Sequence, residues 1–179
     1  MIAPLTFSTA RLHLRRPQHS DVAAVFEYAS DPLVVQYMDW PAAVEVADTI
    51  RATDRALHNW ESGEEYSWRV TLLPSDTPIG SMGCRIKGET ADFGFVLHRR
   101  HWGQGYATEA AGAKLDWLKS IEAIKRIVAT CDVDNAASAR VLEKLGLSQM
   151  TRLAQHAVRP NMPGAPRRDA FLYCWTRGV

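Results

Sequence analysis

Apolar residues recur along the chain with two periods, one of two residues and one between three and four, and the change from one to the other marks the boundaries between elements. Residues 11–15, Arg-Leu-His-Leu-Arg, alternate and predict a first strand with one buried face. Ser20 and Asp21 then offer an N-cap ahead of Val22, Val25, Phe26 and Ala29, which share one helical face. This predicts a first helix ending near Asp31-Pro32. From Pro41 to Trp60 the apolar residues Ala43, Val46, Ala47, Ile50, Leu57 and Trp60 keep helical spacing between charged neighbours, so a second helix, continuous or broken, is expected there.

Residues 66–72, 79–84 and 90–97 read as consecutive strands joined by turn-rich connections, the first of them Pro74-Ser75-Asp76. An antiparallel meander follows. Ala107, Ala110, Ala111, Lys114, Leu115 and Leu118 form the stripe of a third helix, and residues 126–131 read as a buried strand. A fourth helix is expected over residues 135–145, stopped by Gly146. The polar stretch 159–168 predicts a loop and residues 169–176 a closing strand.

Composition narrows the function. At 179 residues and 46% hydrophobic the chain suits one core, so a single domain over residues 1–179 is expected. With 21 Lys+Arg against 20 Asp+Glu the net charge is +1, which argues against nucleic acid as a partner. No apolar run approaches the roughly 18 to 20 residues that span a bilayer, and the start lacks a signal-peptide core, so a cytoplasmic protein without a membrane partner is expected. Cys84, Cys131 and Cys174 are odd in number and form no CxxC pair, which predicts buried thiols. His98 and His101 lie at i, i+3 in a loop with no third ligand of matching spacing, so no metal is expected.

The chemistry concentrates in residues 93–110, where a strand leads through Gly103 and Gly105 into a helix. Glycine permits close approach of a ligand, and the free N–H groups of a helix start attract phosphate. A P-loop would require GxxxxGK[ST], and a dinucleotide fingerprint would require Gly or Ala where Thr108 stands. Neither NTP nor NAD is favoured. Taken alone, a GxG could equally be a tight structural turn.

The longer pattern is more specific. Arg100-x-x-Gly103-x-Gly105, inside Trp102-Gly103-Gln104-Gly105-Tyr106-Ala107-Thr108-Glu109-Ala110, resembles the acyl-CoA-binding motif of the GNAT acetyltransferase superfamily, and most closely its Rim-type branch of ribosomal-protein N-terminal acetyltransferases. Residues 9–15 resemble the opening strand of that family. Asn135, Ser138, Val141, Glu143, Lys144 and Gly146 resemble its motif after the following strand. The resemblance implies an α/β fold whose mixed, mostly antiparallel sheet has about seven strands and about four helices, with two parallel central strands splayed apart.

It also implies roles. Acetyl-CoA is the cosubstrate, its pantetheine arm bonded to backbone groups of Phe95, Val96 and Leu97. Its pyrophosphate is held by the N–H groups of Trp102, Gly103, Gln104, Gly105, Tyr106, Ala107 and Thr108, with charge added by Arg100. Asn135 corresponds to the family asparagine that bonds the pantetheine arm, and is also placed to cap the fourth helix. The N–H of Val96 or Leu97 is the candidate oxyanion donor. Many relatives protonate the leaving thiolate with a tyrosine where this chain has Leu142; Ser138 is the substitute that the branch suggests.

Asp92, near where several relatives place a glutamate, is the candidate base acting through water, and equally reads as a solvent-facing carboxylate. Glu109 sits in a helix's first turn and has a structural reason to be there. Tyr37, Met38 and Trp40 either line the acceptor pocket or cover the core. The function expected is acetylation of a primary amine, on a protein N-terminus or a small molecule, by direct attack in a ternary complex. The alternative is an acyl-CoA-binding sensor without turnover. The family implies a possible homodimer.

Overall fold

The computed structural model describes residues 3–162, 164 and 167–178. Its strands are β1 (Thr6–Ser8), β2 (Leu12–Arg15), β3 (Tyr66–Leu72), β4 (Pro78–Lys87), β5 (Thr90–Leu97), β6 (Arg126–Asp132), β7 (Ser148–Ala157) and β8 (Arg168–Thr176). Its helices are α1 (Val22–Ala29), the one-turn α2 (Pro32–Val35), α3 (Val46–Ser62), α4 (Tyr106–Ser120) and α5 (Ala136–Lys144). The strands form one sheet in the order β1-β2-β3-β4-β5-β6-β8-β7. Every neighbouring pair is antiparallel except β5 with β6. The mixed, mostly antiparallel α/β architecture is the expected one, with eight strands described instead of about seven.

Two expectations for the helices need correction. The second long helix begins at Val46, because the Asp48 carboxylate takes the N–H groups of Val44 and Glu45 and closes a capping box with Glu45. Its inner stripe is polar: Thr49 and Thr53 are buried while Val46 and Ile50 are exposed, and the Thr53 hydroxyl receives the buried Arg69 guanidinium. The β1 and β7 strands and the short α2 were not expected.

The core lies between the sheet and α4, centred on Trp68, whose ring meets Phe7, Trp60 and Trp117 at centroid distances of 5.3, 5.1 and 5.7 Å. A smaller cluster on the opposite face packs Val25, Tyr28, Ala29, Val34 and Val35 against Met38, Trp40 and Val96. The three cysteines are free and buried. Among the described residues no helix is long and apolar enough to cross a membrane.

Candidate active site

The site begins where β5 and β6 part. Their parallel ladder pairs Thr90 with Arg126, Ala91 with Ile127 and Asp92 with Val128, and goes no further. Residues 93–97 and 129–132 therefore face each other across a widening gap. The hydrogen-bond alternation decides which peptides line it. His98 donates to the Ile79 carbonyl, and the β4–β5 register carries that narrow pairing to Val96–Ser81 and Gly94–Gly83, so the even-numbered peptides of β5 point at β4. The Phe93 N–H closes the last rung of the ladder on β6, and beyond it the Phe93 C=O and the N–H and C=O groups of Phe95 and Leu97 point into the gap.

This corrects one expectation. Val96 spends its backbone on β4, and of the pair proposed as oxyanion donor only Leu97 has its N–H on the gap side. The carbonyl of Leu97 accepts from the Trp102 indole at 2.8 Å, which ties the glycine loop to the strand. On the other wall, Val133 donates to Asp169 and Arg177 to Lys125, so the odd peptides of β6 serve β8 and those of Thr130 and Asp132 face the gap, where the Asp132 carbonyl is taken by the Asn135 N–H at 2.9 Å. Backbone polar groups without a partner are costly when enclosed. A ligand rich in amides suits this wall.

The gap leads to the glycine loop. Residues 99–101 form a 3-10 turn, and Gly103 and Gly105 have φ of 74° and 81°, a left-handed conformation that other residues resist. The first N–H of α4 to find an acceptor within the chain is that of Glu109, on Gly105. The Trp102 N–H, expected to help hold the pyrophosphate, instead donates to the Arg99 carbonyl at 3.1 Å and closes the 3-10 turn. Among the described residues the N–H groups of Gly103, Gln104, Gly105, Tyr106, Ala107 and Thr108 have no acceptor, and they cluster at the positive end of α4. Arg99 is drawn to Asp31 at 2.7 Å, whereas Arg100 is exposed. The loop is braced from behind by Glu109, which accepts from the Thr9 hydroxyl at 2.5 Å and from the Arg11 N–H and Nε at 3.0 and 2.7 Å, while Arg11 Nη1 donates to the Gln104 carbonyl. Glu109 is thus structural.

Asp92 stands at the apex of the gap, the last β5 residue to pair with β6. Alternation puts its side chain on the same face as Gly94 and Val96, away from α4. Gly94 is exposed and opposite Gly83, leaving the sheet bare there. Glu65 covers the edge of this floor: its Oε1 lies 2.6 Å from where a Cβ on Gly83 would stand, and its Oε2 accepts from Arg85 Nε at 3.1 Å. Partial burial opposes the Arg85 charge, but Glu65, Asp92 and Asp39 together raise its pKa. Three carboxylates around one guanidinium leave the floor net negative. Glu65 and Arg85 were not read from the sequence. Tyr37, Met38 and Trp40 are half-buried beside this face, Met38 and Trp40 packing on the smaller cluster with Val96.

Across the gap, Asn135 Oδ1 accepts from the Ser138 N–H at 3.1 Å, so the asparagine does cap α5. That bond engages only its oxygen. Ser138 follows in the first turn, half-buried, whereas Leu142 is buried in the core. His98 and His101 serve the loop: His98 Nδ1 accepts from the Arg100 N–H, and the two rings stack edge-on at 5.9 Å.

The description "Acetyltransferase (GNAT) domain" matches residues 11–148. An uncharacterized N-acetyltransferase of Bacillus subtilis (strain 168), YnaD, is 32% identical over 142 residues, covering 78% of this chain and 81% of that protein. A GNAT-family acetyltransferase from Bacillus anthracis superposes with a TM-score of 0.83 at 25% identity, over 96% of this chain and 98% of its own. RimL, a ribosomal L7/L12 alpha-N-protein acetyltransferase solved with coenzyme A, superposes with a TM-score of 0.82 at 20% identity, over 98% of each chain. With the family model matched over most of its length and a relative above 30% identity, the chain belongs to the GNAT acetyltransferase family.

Proposed function

We propose that the whole chain, residues 1–179, is one acetyltransferase domain that moves an acetyl group from acetyl-CoA to a primary amine by direct attack in a ternary complex. The observation that carries this reading is the pairing of two sets of groups: the Phe95 peptide and the Leu97 N–H that β5 turns into the gap, and the N–H groups of residues 103–108 left without an acceptor among the described residues at the start of α4. It suits an amide-containing arm ending in a pyrophosphate, held by the N–H groups of residues 103–108 with Arg100. Asn135 offers its free Nδ2 from the facing wall.

Acetyl-CoA supplies the thioester. The chain supplies the rest. Leu97 N–H points to where negative charge develops on the carbonyl oxygen. Asp92, at the apex, relays the amine proton through water, and Glu65 adds charge that draws the ammonium form to the Gly83–Gly94 floor. Ser138 hydroxyl steadies the thiolate that leaves. Tyr37, Met38 and Trp40 wall the acceptor. Three buried thiols suit a reducing, cytoplasmic compartment.

Leu142, buried where many relatives place a tyrosine acid, favours a second reading in which the chain binds acyl-CoA as a sensor. Calorimetric titration with acetyl-CoA, desulfo-CoA and NAD, followed by thiol release across an amine panel, separates the two. Saturable binding of both CoA compounds with silence from NAD and thiol release with an amine is the expected result. Binding without release across the panel supports the sensor, and no CoA binding removes both.

A further inference from the structure

The acceptor face carries a buried positive charge that the acetyl-transfer roles above leave unused. Arg159 lies in the connection between β7 and β8, its side chain 8% exposed, and its Nε has no hydrogen-bond partner among the described residues. Its one ion pair there is with Asp132 Oδ2, at 3.7 Å, outside hydrogen-bond range. Asp132 is already engaged. Arg168 donates to both of its oxygens, Nε to Oδ2 at 2.7 Å and Nη2 to Oδ1 at 2.9 Å, and the Asp134 N–H donates to Oδ1 at 3.1 Å. Asp134, which also meets Arg168, is 64% exposed. The buried part of the cluster is therefore two guanidiniums against one carboxylate.

The position of this charge is set by the sheet. Asp92 pairs with Val128, so Thr130 and Asp132 fall on the same face as Asp92, Gly94 and Val96. Carried forward, that register sets Asp132 opposite Val96 at the open end of the gap. The turn bearing Arg159, closed by Met162 N–H on the Arg159 carbonyl, is clamped to the acceptor wall by Asn161. The Asn161 amide donates to the Val35 and Trp40 carbonyls at 2.7 and 2.8 Å and accepts from the Ala42 N–H at 2.7 Å. Arg159 thus lies against the tip of β6, in a turn that Asn161 fastens to the segment carrying Met38 and Trp40.

A guanidinium does not shed its proton, and burying one without an acceptor is costly. Its fork matches a carboxylate or phosphate in two parallel bonds. We propose that Arg159 anchors an anionic group of the acceptor, a carboxylate or a phosphate, so that the substrates of this enzyme are amines carrying a negative charge near the reacting nitrogen. The proposal rests on the acetyl-transfer reading. It adds a second pole to the acceptor site: carboxylates beside Gly94 for the amine, and Arg159 at the far end for the anion.

The test is a set of matched amines: ω-amino carboxylates of increasing length with their amides, and 2-aminoethyl phosphate with 2-aminoethanol. Each is assayed for thiol release from acetyl-CoA by the wild type, Arg159→Met and Arg159→Lys. A charge-assisted bond is worth about tenfold or more in rate. The expected result is a kcat/KM at least about tenfold higher for an anionic member than for its neutral partner. That ratio should fall toward one in Arg159→Met and recover in part in Arg159→Lys. The carboxylate and phosphate arms separate the two anions.

Equal treatment of the pairs by the wild type overturns the proposal while leaving acetyl transfer intact. A loss of affinity for CoA but not for dephospho-CoA in Arg159→Met also overturns it, assigning the arginine to the nucleotide phosphate. If no amine releases thiol, calorimetry of the CoA-loaded protein with succinate and inorganic phosphate still decides. Saturable binding that Arg159→Lys weakens keeps the anchor and removes the acetyl-transfer reading, and no binding removes the anchor.

Discussion

Gly80 and Val96 are in contact through their backbones: a Cβ on Gly80 would stand 2.3 Å from the Val96 carbonyl oxygen and 2.4 Å from a Leu97 methyl carbon. The absence of a side chain at Gly80 lets β5 press against β4 at the height where it has parted from β6. The gap is thereby held open from behind.

Gly80→Ala forces that contact apart, and the atom it meets is main-chain oxygen, which cannot rotate away. Stability should fall by about 1–3 kcal/mol, the usual cost of overpacking. Acetyl-CoA affinity should fall with it, because β5 can yield only toward the gap. Chemical denaturation and calorimetric titration of the variant read both effects, and unchanged affinity with normal stability would show that the contact does not set the width of the gap.

Gly103→Glu tests the loop by charge. No atom lies within 4 Å of a Cβ built on Gly103, so the added side chain meets nothing in the protein, although its φ of 74° strains any residue but glycine. The variant should fold and lose acetyl-CoA binding through repulsion of the phosphates, while Gly103→Ala should lose much less. Far-UV circular dichroism and titration of both variants check this, and retained affinity in Gly103→Glu would place the phosphates elsewhere.

Glu109 makes loop order depend on pH. Burial opposes its ionisation, but the Thr9 hydroxyl, Arg11 side chain and Arg11 N–H outweigh it and hold the carboxyl below its ordinary value of 4.5. A depressed folded pKa contributes stability that is present above the unfolded value and lost as pH falls through the folded one. Glu109→Gln should therefore cost roughly 1–2 kcal/mol at pH 7 and weaken acetyl-CoA binding, and its disadvantage should shrink in acid. Melting curves of both proteins from pH 7 down to 3 measure it, and a constant difference over that range contradicts the assignment.

The features legible in the sequence are those written in a local period or a local motif. The meander over β3, β4 and β5 alternates because one face of each strand is packed, and the α4 stripe recurs because one face meets the sheet. The β7 strand is exposed at the sheet edge on nearly every residue, so no alternation marks it. The inner face of α3 is carried by Thr49 and Thr53, which hydropathy reads as surface. For the site, the glycine loop and Asn135 are contiguous signals. The roles of Leu97 over Val96, of Glu65 beside Gly83, and of Arg159 beside Asp132 depend on which peptides pair across strands, and that is a property of register alone.

Lys114 raises the last question, since a buried lysine in the α4 stripe costs stability that an apolar residue would not. Its Nζ is enclosed, donates to the Gly83 carbonyl at 2.7 Å and lies 5.2 and 5.7 Å from the Phe93 and Trp68 ring centroids. Burial pushes its pKa from 10.5 down to about 8, against the pull of Cys84, Glu65 and Asp92. Between those two values the unfolded chain holds a proton that the folded chain has released, so stability should rise with pH through that window. Below pH 8 both states are protonated and the full penalty is present. Lys114→Met should then gain roughly 1–3 kcal/mol at pH 7, less what the lost Gly83 bond contributed, and should flatten the rise. The Gly83 carbonyl belongs to the strand under the acceptor floor, so a gain in stability accompanied by slower thiol release would mean that the lysine holds that floor in place. Urea denaturation at pH 7, 8, 9 and 10 with both proteins reads the profile, and a wild-type stability that stays level over that range removes the buried charge from the account.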